Sequence, residues 1–169
     1  MIFVKTSIIG AYVIEIESFE DERGSFSNLW NSKQFVENEM DWELHECNIS
    51  FNKKKGTLRG LHYQIPPFDG SKLIKCIHGK IYDVILDLRP TSASYKKWIS
   101  TELENNKMHY VPSGCAHGFQ TLMDNSEILY LMSQIYSPKH TKIVKWNDEE
   151  YKIKWPENSK NNKIRKRIL

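Results

Sequence analysis

Short stretches rich in β-branched and aromatic residues recur along most of this chain, and apolar and polar positions partly alternate within them. The pattern predicts β-strands over residues 11–17, 72–78, 80–88 and 126–136. Glycine and proline residues lie between these stretches and indicate turns. Many short strands with closely spaced turns are typical of a β-sandwich or barrel. We therefore expect an all-β protein with one or two short helices.

One segment of the chain has the periodicity of a helix instead. Residues 31–40 place Val36 and Met40 four positions apart, which would bring both side chains to one helix face. Asn31 and Ser32 at its start are residue types that commonly cap helix N-termini. The pattern predicts a short capped helix with Val36 and Met40 on its apolar face.

Length and composition indicate one ordinary globular domain. The chain has 169 residues, of which 40% are hydrophobic and 27% charged, values usual for a globular protein. We expect a single domain over residues 1–157 and a polar, basic tail over 158–169. The tail is interpreted as a loosely docked terminus rather than a patch for an anionic partner. A net charge of +3 gives no reason to expect a nucleic-acid partner.

The cysteines and the apolar runs bear on the compartment. Cys47, Cys76 and Cys115 lack CxxC spacing, and an odd number leaves at least one thiol unpaired. Free thiols indicate a reducing compartment. The first ten residues lack a signal-peptide pattern, and no apolar run approaches the roughly 18 residues of a membrane helix. These features predict a cytoplasmic protein with no membrane partner.

Residues 56–64 form the segment with the richest chemistry. It contains a glycine-flanked Arg59 and, three positions later, His62 in a strand-like run. Strict alternation would place His62 with Gly60 and Gln64 on one strand face. Arg59, Leu61 and Tyr63 would then lie on the other face, unless a bulge intervenes. A lone histidine in a strand is more often structural than catalytic, so this segment does not establish a function by itself.

Two further segments add candidate side chains. Residues 112–119 contain a Pro-x-Gly turn followed by His117, similar to the second half of the cupin signature. The strand predicted over 126–136 carries Tyr130 and ends at Tyr136. Buried tyrosines are more often core residues than catalysts. The combination of the three segments is more informative than any one of them.

Longer motifs extend over almost the whole chain. The chain resembles the dTDP-4-dehydrorhamnose 3,5-epimerase family, which are sugar-nucleotide epimerases of the cupin class. The matching stretches occur in the family's order and close to its spacing: DERGSF at 21–26, CNIS at 47–50, GTLRGLHYQIPP at 56–67, KLIKCIHGKIYDVILDLRPTSASYKKW at 72–98, YVPSGCAHGFQTL at 110–122, LYLMSQIYSP at 129–138 and WPE at 155–157.

The resemblance implies a cupin-type jelly roll, or double-stranded β-helix, that forms a homodimer with its active site inside the barrel. By resemblance, His62 is the general base, Tyr130 the general acid and Lys72 the cation that stabilises an enolate. The resemblance also implies that Arg23 reaches across from the partner subunit. It assigns the substrate site to Arg23, Phe26, Asn48, Arg59, Gln64, His117 and Tyr136, and it gives Asp83 a supporting place in the barrel interior.

These roles agree with the chemistry of carbons next to a ketone. Such a carbon loses its proton only because the carbanion delocalises onto oxygen as an enolate, which requires a near-neutral base such as histidine. A lysine can stabilise the developing oxyanion. Inversion requires a second group on the opposite face of the ring, and arginines suit a diphosphate. We therefore expect inversion of C3, C5 or both in a nucleotide-linked 4-keto sugar, in activated-sugar biosynthesis for cell-surface polysaccharide such as lipopolysaccharide.

The sequence departs from the family at several positions. The family's acidic residue beyond the WP motif, which orients the catalytic histidine, has no aspartate as its counterpart in residues 158–169. Asp83 or Glu157 is a candidate for that role. Glu46 replaces a glutamine, while Asn28 and Thr141 replace glutamates on the nucleotide side of the site. These changes leave a GDP- or CDP-linked sugar or heptose, inverted at one centre only, as an alternative substrate.

Two alternatives come from other functional classes. A cupin can be a metal enzyme, but metal-binding cupins carry a paired HxH, whereas here Tyr63 and Gln64 follow His62. His78 is expected to be structural or exposed. A non-catalytic sugar-binding jelly roll is the other alternative, which would not require His62, Lys72 and Tyr130 together. We expect no metal and no organic cofactor.

Overall fold

The computed structural model describes residues 1–40 and 43–156. The regular structure in these residues is nearly all β-strand, with one short helix. The helix is α1 (Ser32–Glu37). The strands are β1 (Ile2–Lys5), β2 (Tyr12–Glu15), β3 (Ser18–Asp21), β4 (Gly24–Ser27), β5 (Glu46–Asn52), β6 (Leu58–Gln64), β7 (Lys72–His78), β8 (Ile81–Asp87), β9 (Trp98–Leu103), β10 (Lys107–Val111), β11 (Cys115–Thr121), β12 (Ser126–Met132) and β13 (Thr141–Ile143).

Most of the strands form two antiparallel sheets. The first sheet has the order β1-β2-β10-β7-β12-β5, and the second has the order β13-β6-β11-β8-β9. Apart from β1-β2 and β8-β9, the neighbours in these two sheets are not consecutive in sequence, as in a jelly roll rather than a simple meander. β3 and β4 pair with each other as a separate hairpin.

The two sheets face each other across an apolar core. Ile74 and Ile128 of the first sheet pack in one cluster with Ile85 and Phe119 of the second. These side chains are at most 1% exposed, so the interior is closed at this level. Burial of a large aliphatic or aromatic side chain stabilises a fold by about 1.5–3 kcal/mol. This cluster therefore holds the sheets at the spacing on which the rest of the interior depends.

The outer faces of both sheets are also covered in part. Phe35 of α1 packs with Tyr12, Leu73 and Tyr110 on the outer face of the first sheet. On the second sheet, a cluster centred on Leu61 and Val84 is covered by side chains of the segment after β13, including Val144, Tyr151, Ile153 and Trp155. β7, β8 and β11 are therefore buried along most of their length rather than at alternate positions.

The predicted all-β class and all four predicted strands are confirmed. β7 occupies residues 72–78 as predicted, and β8 lies within the predicted 80–88. β2 lies within 11–17, and β12 begins at the predicted residue 126. β12 ends at Met132 rather than at 136, although the Ser133 amide still donates to the Ser71 carbonyl oxygen at 3.1 Å and extends the pairing with β7 by one residue.

The predicted helix is present, but its predicted face is wrong. Asn31 is the N-cap, and its side chain accepts a hydrogen bond from the Gln34 amide at 3.1 Å. The helix ends at Glu37, so Met40 lies beyond it and is buried by the turn in which its amide bonds the Phe35 carbonyl at 2.9 Å. Val36 is 61% exposed, and Phe35 is the helical residue that enters the core. A helix this short makes only its central apolar side chain part of the core.

The β3–β4 hairpin does not pack on the rest of the described chain. Its residues are exposed apart from the partly buried Ser27. Phe19 and Phe26 are direct cross-strand partners, yet they are 75% and 72% exposed. Two adjacent exposed phenylalanines form an apolar patch of the kind that marks interaction surfaces.

In the described part of the chain, no helix has the length and apolar character needed to cross a bilayer. Glu157 and the predicted tail over 158–169 lie outside the described residues, as does the boundary drawn at residue 157.

Candidate active site

The candidate site is built on β6, where the strand departs from regular alternation. His62 lies directly opposite His117 of β11, and Arg59 lies opposite Phe119. Direct cross-strand partners share a sheet face, and residues two apart on β11 share one too. His62 and Arg59 therefore point to the same side, although three positions separate them. The strict alternation that would separate Arg59 from His62 is wrong, because a bulge at Gly60 and Leu61 intervenes.

The bulge requires glycine on both strands. Gly60 has a φ of +119°, which L side chains rarely adopt. A Cβ at Gly60 would lie 2.6 Å from the Cα of Gly118 and 2.9 Å from the His117 carbonyl oxygen. The two backbones can approach this closely only without side chains. The R-G-L-H sequence of residues 59–62 thus bends the strand so that arginine and histidine face the interior while Leu61 packs in the outer core.

His62 is placed as an uncharged base. Burial is the main cause that lowers its pKa to about 4, and the charges of Lys72 and Arg59 act in the same direction. In the described residues, no side chain forms a hydrogen bond with its ring. At neutral pH the imidazole is therefore unprotonated, which is the state that a general base requires.

Lys72 at the start of β7 brings a buried cation next to His62. Its Nζ donates a hydrogen bond to the His62 carbonyl oxygen at 2.9 Å, and the residue is 9% exposed. Burial lowers the pKa of Lys72 to about 8, while Cys115 and Asp83 partly oppose this shift. The ammonium group therefore keeps its charge near neutral pH inside a water-poor interior. An ammonium in such a place can stabilise an oxyanion more strongly than in water.

Tyr130 on β12 lies across the interior from β6. Its ring contacts the ring of His117 edge to face, with centroids 6.1 Å apart and planes at 80°. Burial raises the pKa of Tyr130 strongly, the Asp83 carboxylate raises it further, and Arg59 acts in the opposite direction. The phenol therefore carries its proton throughout the physiological range and can serve as a proton donor.

Asp83 on β8 connects two histidines at the centre of the interior. Its Oδ1 lies 2.7 Å from His117 Nε2 and its Oδ2 lies 2.7 Å from His109 Nδ1. Burial opposes ionisation, but the two histidines hold the pKa of Asp83 below its usual value. Both oxygens of Asp83 are occupied by His109 and His117, and Asp83 does not itself bond His62. The sequence-based suggestion that Asp83 orients His62 directly is therefore not supported. His109 was not identified from the sequence, since a single histidine in the apolar strand 107–111 carries no signal.

The polar side of the cavity includes Arg59 and Asn48. Arg59 Nε donates to Asn52 Oδ1 at 2.7 Å, and in the described residues its terminal nitrogens have no partner. Asn48 lies directly opposite Tyr130 and therefore faces the same side. Its Nδ2 donates to Glu46 Oε2 at 3.1 Å. The exposed guanidinium of Arg59 is thus held at one end with its fork free for an anion.

Gln64 and Tyr136, both expected to contact substrate, are linked to loop backbones. Gln64 Nε2 donates to the carbonyl oxygens of Phe68 and Ile135, and its Oε1 accepts from the Ser137 amide at 2.6 Å. Both the Nε2 and the Oε1 of Gln64 are therefore occupied. The side chain connects two loop segments and has no group left unbonded for a substrate. The Tyr136 amide donates to Glu46 Oε1 at 2.8 Å, and the Tyr136 residue is 38% exposed.

Arg23 and Phe26 lie on the exposed hairpin and not with the other candidates. The Arg23 guanidinium pairs with Asp21 at 2.5 Å on the surface, and its side chain is 84% exposed. Within one described chain, neither residue contacts His62, Lys72 or Tyr130. They can reach a substrate site only if the hairpin extends to another subunit.

The histidines and carboxylates described in this interior are not arranged around a metal site. Among residues 1–40 and 43–156, no group of three or more histidine, cysteine or acidic side chains is arranged to hold a metal ion. His78, considered from the sequence, is exposed at the end of β7. The described donors instead form histidine–carboxylate and arginine–amide pairs.

Comparison with known proteins identifies the family. The family model for dTDP-4-dehydrorhamnose 3,5-epimerase matches residues 5–167. The dTDP-4-dehydrorhamnose 3,5-epimerase of Sinorhizobium fredii is 40% identical over 158 residues, which cover 92% of this chain and 81% of that protein.

Solved structures give the same result. The Bacillus anthracis dTDP-4-dehydrorhamnose 3,5-epimerase, solved with TDP and PPi bound, is 37% identical with a TM-score of 0.88, covering 91% of this chain and 89% of that one. The Legionella pneumophila dTDP-6-deoxy-D-glucose-3,5-epimerase, solved with dTDP-4-keto-L-rhamnose, is 30% identical with a TM-score of 0.86, covering 91% of this chain and 82% of that one.

Proposed function

The chain belongs to the dTDP-4-dehydrorhamnose 3,5-epimerase family, and from this premise we propose that it inverts C3, C5 or both in a dTDP-linked 4-keto-6-deoxy sugar. The observation that carries the proposal is the arrangement in one interior of an uncharged His62, a buried ammonium on Lys72 and a protonated Tyr130. A base, a cation and an acid are the three groups that epimerisation next to a ketone requires.

In the proposed reaction, His62 removes the proton from the carbon next to the ketone. The electron pair of the C–H bond forms a double bond to the carbonyl carbon, and the π electrons of the ketone move onto its oxygen as negative charge. Lys72 stabilises this oxygen, because an ammonium in a buried site interacts strongly with a developing oxyanion. Tyr130 then delivers a proton to the opposite face of the same carbon. The proton on His62 and the phenolate of Tyr130 return to their starting states by exchange with solvent.

The nucleotide preference is part of the proposal. The relatives and solved structures are named for dTDP-linked sugars, so the GDP- and CDP-linked alternatives are not favoured. Arg59, whose terminal nitrogens have no partner among residues 1–40 and 43–156, suits the diphosphate. Glu46 is engaged by Asn48 and by the Tyr136 amide, so its charge is partly offset by donors.

We further propose that the active unit is a homodimer that works in the cytoplasm, in activated-sugar biosynthesis for cell-surface polysaccharide. The exposed Phe19 and Phe26 pair supports a second copy of the chain as the partner of the hairpin. The hairpin would carry Arg23 to the neighbouring subunit's cavity and add a second guanidinium to its diphosphate site. Domain exchange of this kind is a common route to dimers.

Exchange with deuterated water tests the function directly. The wild-type protein is incubated with dTDP-, GDP- and CDP-linked 4-keto-6-deoxy sugars, and deuterium at C3 and C5 is followed by NMR together with configuration. We expect exchange and inversion with the dTDP sugar, and the carbon at which they occur identifies the centre. Binding of the sugar nucleotide without any exchange would contradict the proposal and favour a sugar-binding module.

A further inference from the structure

The most unusual polar arrangement in the interior is the carboxylate of Asp83 between two histidines from different sheets. Asp83 lies on β8 and His117 on the neighbouring β11, both in the second sheet. His109 lies on β10 in the first sheet. The two carboxylate-to-imidazole distances are both 2.7 Å, and Asp83 and His109 are fully buried. The carboxylate thus connects the sheets through a group that the proposed reaction does not contact.

The geometry fixes which nitrogens carry protons. An ionised carboxylate accepts hydrogen bonds and cannot donate them, so His109 carries its proton on Nδ1 and His117 on Nε2. His109 Nε2 is buried and has no partner in the described part of the chain, so a proton there would be a buried, unpaired N–H, and the neutral ring with a lone pair at Nε2 is favoured. The opposite tautomer would direct a lone pair at a carboxylate oxygen and bury an unpaired N–H, which is unfavourable on both counts.

His117 is in turn placed between the two proposed proton-transfer groups. It is the direct cross-strand partner of His62, and its ring contacts the ring of Tyr130. With Nε2 held by Asp83, Nδ1 is the nitrogen left for a substrate atom. A second imidazole on the carboxylate matters here, because a carboxylate bonded at one oxygen alone can rotate and leave His117 free to turn.

We propose that His109 is a positioning residue for the epimerisation: by occupying one oxygen of Asp83 it holds the other on His117, and so keeps His117 Nδ1 directed at the substrate between His62 and Tyr130. This inference rests on the proposed function. It assigns a role to a residue outside the cavity, acting through two hydrogen bonds in sequence.

The negative charge of Asp83 gives His109 a second effect on the reaction, through the acidity of Tyr130. Asp83 is one of the causes that raise the pKa of Tyr130, after burial. Two N–H donors on the carboxylate spread its negative charge and weaken its effect on the phenol. Lys72 is a further cation that interacts with Asp83. Loss of His109 would therefore leave Asp83 less neutralised and Tyr130 a poorer acid, in addition to freeing His117.

A merely structural role for His109 predicts different results from a positioning role. His109→Leu removes the donor at similar size, whereas His109→Asn keeps an N–H close to the position of Nδ1. We expect His109→Leu to lower kcat about tenfold or more, since misplacement caused by a mutation away from the reacting groups can cost on the order of 10²-fold, with KM for the sugar nucleotide unchanged. His109→Asn should restore most of kcat even if its melting temperature stays low, because it leaves a small cavity. Rescue of stability without rescue of kcat would overturn the proposal.

Nitrogen-15 NMR of the imidazoles tests the positioning claim without substrate. In the wild-type protein, we expect His117 protonated on Nε2 and His109 on Nδ1, with exposed His78 as an internal reference for a mixture of tautomers. In His109→Leu, the His117 signal should move toward such a mixture. An unchanged His117 signal in His109→Leu would overturn the proposal. If His109→Leu does not fold, the wild-type spectrum gives the test, and a His109 ring protonated on Nε2 would overturn the proposal. Absence of epimerisation by the wild-type protein would contradict the proposed function, and the tautomer result would be unaffected.

Discussion

His62 and His117 face each other directly across β6 and β11, and the bulge next to this pair turns Arg59 to the same side. This one register relationship places a candidate base, a second imidazole and a guanidinium in a common interior. The neighbouring charges also contribute to the low pKa of His62, after burial. The backbone geometry and the chemistry of the site therefore have the same origin in residues 59–62.

Replacement of the candidate base should abolish the reaction. We expect His62→Asn to reduce both deuterium exchange and epimerisation by on the order of 10²–10⁴-fold, the contribution of a general base. Sugar-nucleotide affinity should survive, because it comes mostly from contacts between arginine and phosphate. His78→Asn, at an exposed histidine, is the matched control and should be fully active. Exchange above about a tenth of wild type in His62→Asn would contradict this mechanism.

Removal of the candidate acid should separate exchange from inversion. Tyr130→Phe keeps the ring and its packing but lacks the phenolic proton. We expect the variant to exchange an α-proton through His62, with inversion reduced by on the order of 10²–10⁴-fold at the affected centre. NMR of the product in deuterated water reports both events. Tyr95→Phe, at an exposed tyrosine, serves as the control, and a wild-type product distribution from Tyr130→Phe would show that another group is the acid.

The pH dependence of kcat/KM should follow His62 and Lys72. His62 acts when unprotonated and its pKa is lowered to about 4, so activity should fall as the pH drops through about 4 rather than through the usual imidazole range. Lys72 acts when protonated and its pKa is lowered to about 8, so activity should fall as the pH rises through about 8. Lys72→Met should lower the plateau and remove the alkaline limb. An alkaline limb that persists in this variant would assign it to a different group.

The close approach at the bulge can be tested with two glycine substitutions. Gly60 and Gly24 have φ angles of +119° and +132°, so alanine strains the backbone at both, by about 1–3 kcal/mol. At Gly60 the new Cβ also meets Gly118, whereas at Gly24 nothing lies within 4 Å. We expect Gly60→Ala to lower the free energy of unfolding by about 1–3 kcal/mol more than Gly24→Ala, as overpacking does. Equal losses in denaturant titrations would mean that strain alone requires glycine at Gly60.

The hairpin should control assembly. We expect the wild-type protein to have the mass of a dimer in light scattering at micromolar concentration, and Phe19→Ser with Phe26→Ser to be monomeric, because the exposed pair loses its apolar surface. Arg23→Ala should keep the dimer and raise KM for the sugar nucleotide. A fully active wild-type monomer would exclude a shared site. Ile9→Ser, at another exposed apolar residue, is the control for general surface effects.

The sequence was sufficient where a pattern depends on local chemistry. β7 begins and ends at the predicted residues, since its apolar run is bounded by a serine and a glycine, and Asn31 caps α1 as its side-chain chemistry predicts. The helix face was wrong because periodicity does not indicate where a short helix stops, and Met40 enters the core from the following turn.

Long-range register could not be predicted in the same way. Alternation placed Arg59 away from His62, since the bulge depends on the contact between Gly60 and Gly118, which are far apart in sequence. His109 reaches Asp83 from the opposite sheet, and nothing in the apolar strand 107–111 indicates which residue it meets. The family resemblance named the candidate residues. The contacts among them depend on how the two sheets pack, which the sequence does not show.

The bridge from Asp83 to His109 also has a consequence for the history and engineering of this protein. The polar groups that join one sheet to the other are also the neighbours of the residues proposed to move protons. A search for variants with a more apolar, more durable interior would remove this polar link first, because replacing a buried charged group and its partners by hydrophobic residues of similar volume is often neutral or stabilising. Selection for heat resistance and selection for turnover therefore act on the same three side chains, Asp83, His109 and His117. We expect substitutions there that raise thermal stability to lower the turnover number.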